Sequence, residues 1–307
     1  MVDLNIELPE SFFQEEERDG YLVSAKTKEL WAVQLDLLNE FDRVCKKYGI
    51  KFMLDFGSLL GAVRHKGFIP WDDDLDVSML REDYEKLIEI APYEFKEPYF
   101  LQNHHSERNF SYTVAKLRRS DTTFLSSIDL TWERVNHGIF IDVFVYDSFP
   151  SYDIEYLKEI VQFSKTMHYR MQAMSCVPSI NDGMKMILRY YYYNLRYRSI
   201  YEQYDMLEKF AKQFDNGPFK ACIMSNMIRF YHDTWFDQKI EMPFENLMMP
   251  VSAYYDAILT LLYGDYMTPI LGSSAHDLVY CDTCSSYLEV MKDKALMRKF
   301  KQEHYHF

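Results

Sequence analysis

Gly57-Ser-Leu-Leu-Gly-Ala-Val-Arg-His-Lys-Gly-Phe-Ile-Pro-Trp-Asp-Asp-Asp-Leu-Asp76 is the stretch on which the reading of this chain turns. It opens on a Gly-Ser pair, passes a basic triplet, and ends in four carboxylates within five residues, Asp72, Asp73, Asp74 and Asp76. Like charges this close repel unless cations bind them, and Mg²⁺ typically takes one or two carboxylates together with substrate phosphates. Taken alone, the same run also fits a solvated acidic turn.

Working outward, residues 27–48 repeat apolar side chains at helical spacing, Lys46 and Lys47 sit where cations suit the helix dipole, and Gly49 stops the helix. Residues 51–56 read as a short buried strand, Gly57-Ser58 as a turn, and residues 59–63 as the first turns of a helix. Residues 74–80 alternate acidic or small residues with apolar ones, which predicts a strand with Asp74, Asp76 and Ser78 on one face. An amphipathic helix over 81–90 and strands over 99–103, 113–118 and 138–146 follow, with Asp142 inside the apolar run Gly138-Ile-Phe-Ile-Asp-Val-Phe-Val145. A lone Asp between Ile141 and Val143 needs a partner, whether a hydrogen-bond donor or a metal ion. Beyond Pro150 the pattern changes to long helical stretches over 152–175, 182–214 and 252–263.

The chain has 307 residues, 48% of them hydrophobic, enough to bury a large core. A formal charge of −13 argues against general nucleic-acid binding. The N-terminal residues lack a signal-peptide pattern and no apolar run reaches membrane-spanning length, so a cytoplasmic location is expected. Five Cys do not suggest a secreted disulfide framework, and Cys281, Cys284 and His276 fall short of the usual four zinc ligands. The segment Ile187-Leu-Arg-Tyr-Tyr-Tyr-Tyr-Asn-Leu-Arg-Tyr-Arg198 mixes aromatics and Arg as an interfacial helix does, but a core-facing helix with snorkelling Arg is the preferred reading.

The Gly-Ser turn, the Asp-Leu-Asp strand and a third strand-borne carboxylate together match the polymerase-β-like nucleotidyltransferase superfamily. Gly57 to Asp76 closely resembles the signature of the LicD family, related to the fukutin-type glycan phosphotransferases. Lys116-Leu-Arg118, Gly138-Ile-Phe-Ile-Asp142-Val-Phe, Pro243-Phe-Glu245-Asn and Leu262-Tyr-Gly-Asp-Tyr-Met267 resemble the same family in order, while residues 270–280 depart from the Pro-rich, basic segment of its members. The resemblance implies an α+β fold: a polymerase-β-like core, a mixed sheet flanked by helices, with a helical C-terminal extension. Residues 1–26 would be an N-terminal extension, 27–150 the nucleotidyltransferase-like catalytic core, and 151–307 a mainly helical region completing the substrate pocket. It further implies transfer of phosphocholine or a related alcohol phosphate from a CDP-alcohol such as CDP-choline. The acceptor would be a hydroxyl of a cell-surface glycan, teichoic acid or lipopolysaccharide precursor, and peripheral contact with the inner face of the membrane would suit a lipid-linked acceptor.

On that resemblance Asp74 and Asp76 bind Mg²⁺ or Mn²⁺, and Asp142 completes the site and acts as base toward the acceptor hydroxyl. Asp147 and Glu133 are the alternatives for this third carboxylate. Gly57 and Ser58 would hold a donor phosphate, although Ser58 fits equally as a helix cap. Arg64, His65, Lys66, Lys116 and Arg118 are candidate phosphate clamps. Trp71, Phe244, Glu245, Tyr263 and Asp265 are candidates for the base or choline, and Asp72 and Asp73 for orienting metal-bound water or capping a turn. A nucleotide-sugar glycosyltransferase with a metal-binding Asp-x-Asp, an enzyme making a CDP-alcohol from CTP, and a glycan-binding scaffold remain as rival readings.

Overall fold

The structure is a computed structural model that describes residues 1–127, 129–131, 135–150, 154–175, 184–197, 199–214, 217–225, 229–272 and 278–304. At its centre is the long strand Ile139–Phe149, which pairs in parallel with Asp76–Leu80 and antiparallel with Ala115–Arg119 and Phe219–Ala221. Met53–Leu54 extends the sheet beyond Asp76–Leu80, Tyr99–Gln102 beyond Ala115–Arg119, and Phe230–His232 beyond Phe219–Ala221. Among the described residues the result is a mixed seven-stranded sheet flanked by helices.

The helix Ala25–Tyr48 packs across strands 115–119 and 139–149. Its ends follow the expected chemistry: the Ser24 hydroxyl accepts from the Thr27 N–H, and Gly49 closes the helix in the left-handed conformation at φ 63°. Trp31, Leu35, Leu38, Phe41 and Val44 from this helix join Val77, Leu117, Ile141 and Val143 from the sheet in one core. A second apolar cluster, around Phe149, Met167, Met171, Tyr204 and Leu207, lies beyond the far end of the long strand.

Several elements differ from the sequence reading. Gly57 and Ser58 are not a turn before a helix; they lie in the first turn of the helix Phe56–His65. Asp55 takes the cap position, its carboxylate accepting from the Phe56 N–H, which ends the strand after Leu54. The stretch 182–214 is two helices, Met184–Tyr197 and Ile200–Ala211, separated where the Ser199 hydroxyl caps the second by accepting from the Glu202 N–H. Beyond residue 150 there are also strands: two join the central sheet, Lys239–Phe244 and Leu247–Ser252 form a hairpin, and Leu278–Asp282 pairs with Thr123–Ser126. All five are three to six residues long, too short for a two-residue period to stand out. No residue of Met184–Tyr197 is buried, contrary to the core-facing reading of its arginines and tyrosines.

Candidate active site

The site begins with strand register. Asp76 stands opposite Asp142 in the parallel pair, and Lys116 stands opposite Asp142 on its other side, so three charged side chains form a row on one sheet face. Asp74 sits just before its strand. Oxygen atoms from Asp74, Asp76 and Asp142 lie within 4.8 Å of one another. The Lys116 ammonium donates to Asp142 at 2.5 Å and stands 3.5 Å from the centroid of Phe140. Arg118, two residues along, is held by Gln102 and by the Gly138 carbonyl at 2.6 Å.

Burial, then the charges of Asp74, Asp142 and Asp72, push Asp76 well above the usual carboxylate range. Burial likewise raises Asp72 to about 6, a hydrogen bond with Asp74 holding it back. Lys116 and Arg118 are both lowered, chiefly by burial, with Asp142 pulling Lys116 back toward its ordinary value. Beneath the row, burial raises Asp55 to about 6 although it accepts from Tyr231 at 2.9 Å and Tyr146 at 3.1 Å. Asp76, a buried carboxylate that resists ionisation, with oxygens of Asp74 and Asp142 converging beside it, fits a divalent cation, because hard cations take oxygen ligands and their charge reverses the penalty.

The row opens into a cleft of 810 Å³. Of the residues read from sequence, Gly57, Arg64, Trp71, Asp72, Asp74, Asp76, Lys116, Arg118, Asp142, Tyr263 and Asp265 line it. Gly57 permits a close approach, since an added Cβ would lie 2.8 Å from an Asp72 carboxylate oxygen. Arg64 donates to the Tyr266 carbonyl at 2.9 Å, and Asp265 accepts from the Thr268 hydroxyl at 2.8 Å.

The others lie away from the cleft. Ser58 neither caps its helix nor lines the opening; its hydroxyl accepts from the Asp76 N–H at 2.8 Å. His65 pairs with Asp19 at 2.7 Å, and Lys66 is an exposed C-cap whose carbonyl accepts from the Glu245 N–H. Asp73 is buried, and its carbonyl accepts from Gln34. Phe244 is fully buried against Phe68, which leaves it no face for choline or base. Glu245 braces the motif from behind: it pairs with Arg18 at 2.7 Å and accepts from the Phe68 N–H at 3.0 Å. Asp147 forms a two-point pair with Arg81 at 2.8 and 2.9 Å, while Glu133 and His276 lie outside the described residues. Among the described residues, neither Cys281 nor Cys284 belongs to a group with metal-binding geometry.

Tyr112, Asp129, His168, Gln172 and Arg229 also line the cleft and were not read from sequence. Tyr112 belongs to the segment just before the strand Ala115–Arg119, where the consecutive residues Ser111 to Val114 all line the cleft, so strand alternation does not mark it. His168, Gln172 and Arg229 come from segments far from the motif, and no local pattern marks them.

A row of carboxylates beside buried cations, lining a cleft on a mixed sheet, suits phosphoryl chemistry. Residues 49–178 match the family described as LicD/FKTN/FKRP, nucleotidyltransferase domain. The chain is 27% identical over 256 residues to lipopolysaccharide cholinephosphotransferase LicD of Haemophilus influenzae, covering 78% of this chain and 91% of that protein. It is 30% identical over 140 residues to an uncharacterized protein of Rickettsia prowazekii, 45% of this chain and 47% of that one. A 40-residue stretch, 13% of this chain and 8% of its counterpart, is 48% identical to the human ribitol 5-phosphate transferase FKRP. The chain is a phosphotransferase that carries a LicD-family domain.

Proposed function

We propose that this chain transfers an alcohol phosphate, phosphocholine in the first instance, from a CDP-alcohol to a hydroxyl of a cell-surface glycan or its lipopolysaccharide or teichoic acid precursor, releasing CMP. The observation that carries the reading is the convergence of Asp74, Asp76 and Asp142 within 4.8 Å beside Lys116. The likeness to a cholinephosphotransferase and a ribitol 5-phosphate transferase supports the reaction class. In this reading residues 27–150 form a nucleotidyltransferase-like core and 151–307 complete the pocket through His168, Gln172, Arg229 and Tyr263.

Asp74, Asp76 and Asp142 would hold Mg²⁺ or Mn²⁺, which when bound supplies positive charge to the phosphates and to the attacking and leaving oxygens. The chain's own groups do the rest. Arg64 and Arg118 reach the cleft with charges suited to the diphosphate, and Trp71 presents an aromatic face to the base or the trimethylammonium group. The acceptor oxygen bonds to the phosphorus that carries the alcohol, its proton passes to Asp142, and the bond from that phosphorus to the CMP oxygen breaks. Lys116, paired with Asp142, fixes the direction of that carboxylate.

Incubating the protein and Mg²⁺ with CDP-choline, CDP-ethanolamine, CDP-glycerol or CDP-ribitol and candidate glycans tests the reading through CMP release and acceptor mass. A gain of one phosphocholine or related alcohol phosphate is expected. A hexose gain from a nucleotide sugar, or pyrophosphate release from CTP, would replace it.

A further inference from the structure

The helix Met184–Tyr197 presents an apolar stripe to solvent. Met184, Leu188, Tyr191, Tyr192 and Leu195 follow one another at helical spacing, and all are exposed, Leu195 by 83% and Met184 by 70%. The opposite side of the helix binds its neighbour, Ile154–Ser175: Asn194 donates to the Met174 carbonyl at 3.2 Å, and Tyr193 meets Tyr169 edge-on at 5.8 Å. Exposure of the stripe is therefore a consequence of how the helix is docked. At about 100° per residue, Lys185, Arg189 and Arg196 fall together along one border of the stripe. Residues 184–197 contain no Asp or Glu, although the chain carries a formal charge of −13.

We infer that this helix seats the protein on an anionic lipid surface. Met184 to Leu195 spans about 16 Å of helix, enough for the stripe to enter the acyl boundary while the flanking cations meet lipid phosphates. Tyrosines suit this depth, having an apolar ring and a polar tip. Charge complementarity favours lipid over a second copy of the chain, since an acidic protein repels itself and is repelled by acidic membranes everywhere except at such a basic border. Among the described residues no helix is long and apolar enough to cross a membrane, so the contact is interfacial. This inference stands apart from the transfer reaction and is measured without donor or acceptor.

The full-length chain is mixed with vesicles of phosphatidylcholine alone or enriched in phosphatidylglycerol, and partitioning is read by flotation. Stronger binding to the anionic vesicles by about tenfold, reduced by salt, is expected. Leu188→Asp with Leu195→Asp should lower binding by about tenfold or more, and Lys185→Gln with Arg189→Gln and Arg196→Gln should remove the preference for anionic lipid. Leu188, Leu195, Lys185 and Arg196 are exposed and Arg189 is half-buried over the Tyr169 ring, and circular dichroism verifies that each variant is folded. Absence of flotation by the unaltered protein, or flotation unaffected by the Asp pair, overturns the inference. A solution dimer that the Asp pair dissolves, without vesicle binding, assigns the stripe to a second copy instead.

Discussion

One motif builds two regions of opposite character. At its acidic end, Asp72, Asp74 and Asp76 are crowded with Asp142; burial and the neighbouring charges push Asp76 up in pKa, and burial chiefly raises Asp72. At its Gly67-Phe68 end every interaction is compensated: Glu245 pairs with Arg18, accepts the Phe68 N–H, and lies where a Gly67 Cβ would be 2.0 Å away. Phe68 stacks on Trp31 at 4.6 Å and 7° and meets Phe244 at 4.9 Å. The difference teaches that a destabilised carboxylate row needs a loop anchored firmly behind it, because the crowding of like charges would otherwise be relieved by loop movement.

The largest expected effect falls on the crowded end. Asp76→Asn should lower CMP release by about 10³-fold while leaving metal-free thermal stability unchanged or higher, since one repelling charge is removed. Asp142→Asn should lose as much activity but also stability, because Lys116 is left buried without its counterion. Calorimetric melts in chelator, alongside CMP assays, separate the two. Equal stabilities for both variants would contradict the distinct environments assigned to the two carboxylates.

The anchored end should respond in the other currency. Glu245→Ala leaves the Phe68 N–H without its acceptor and Arg18 with only Glu16 and the Phe68 carbonyl, and should cost about 1–3 kcal/mol of stability, with turnover per folded molecule reduced far less than in Asp76→Asn. Urea titration combined with activity at low temperature measures both. A catalytic loss without a stability loss would return Glu245 to the substrate pocket.

This contrast also marks what was legible in the sequence. The acidic cluster, the strand carrying Asp142 and the helix over 27–48 have strong local signals, and the structure has all three. Glu245 was read as a substrate residue because a motif match does not say which side of a loop a side chain occupies. Asp142 was readable as one of three repelling carboxylates, but its Lys116 partner depends on strand register, which pairs residues 26 apart. His168 and Arg229 reach the cleft only through tertiary packing. The mixture of aromatics and Arg over residues 187–198 was visible as a pattern, but its direction, toward core or solvent, is set by where the helix docks.

Asp55 gives a smaller, pH-dependent effect beneath the row. Burial raises its pKa to about 6, so folding favours its protonated form. That contribution is fully present below the ordinary value of 3.8 and is lost as pH rises through about 6. Asp72 and Asp76 act in the same direction, so the test is the difference between the unaltered chain and Asp55→Asn. In chelator, the Asn variant should gain relative stability by on the order of 2 kcal/mol between about pH 4 and pH 7. Parallel stability curves across that range would refute a buried, hard-to-ionise Asp55.

The smallest effect concerns Ser58, where the two regions meet. Its hydroxyl accepts from the Asp76 N–H at 2.8 Å, and it lies in the helix whose Gly61 sits so close to the loop that an added Cβ would be 2.3 Å from the Gly67 carbonyl. Ser58→Ala leaves that buried N–H without its acceptor, which should cost about 1–2 kcal/mol. Because the bond fixes the backbone from which the Asp76 carboxylate projects, the variant should need more Mg²⁺ for half-maximal activity, while KM for the CDP-alcohol at saturating Mg²⁺ stays unchanged. A hydroxyl that instead contacted a donor phosphate would give the reverse: a raised KM for every CDP-alcohol and an unaltered Mg²⁺ requirement. Measuring both titrations on one variant decides whether Ser58 belongs to the frame of the carboxylate row or to the substrate pocket.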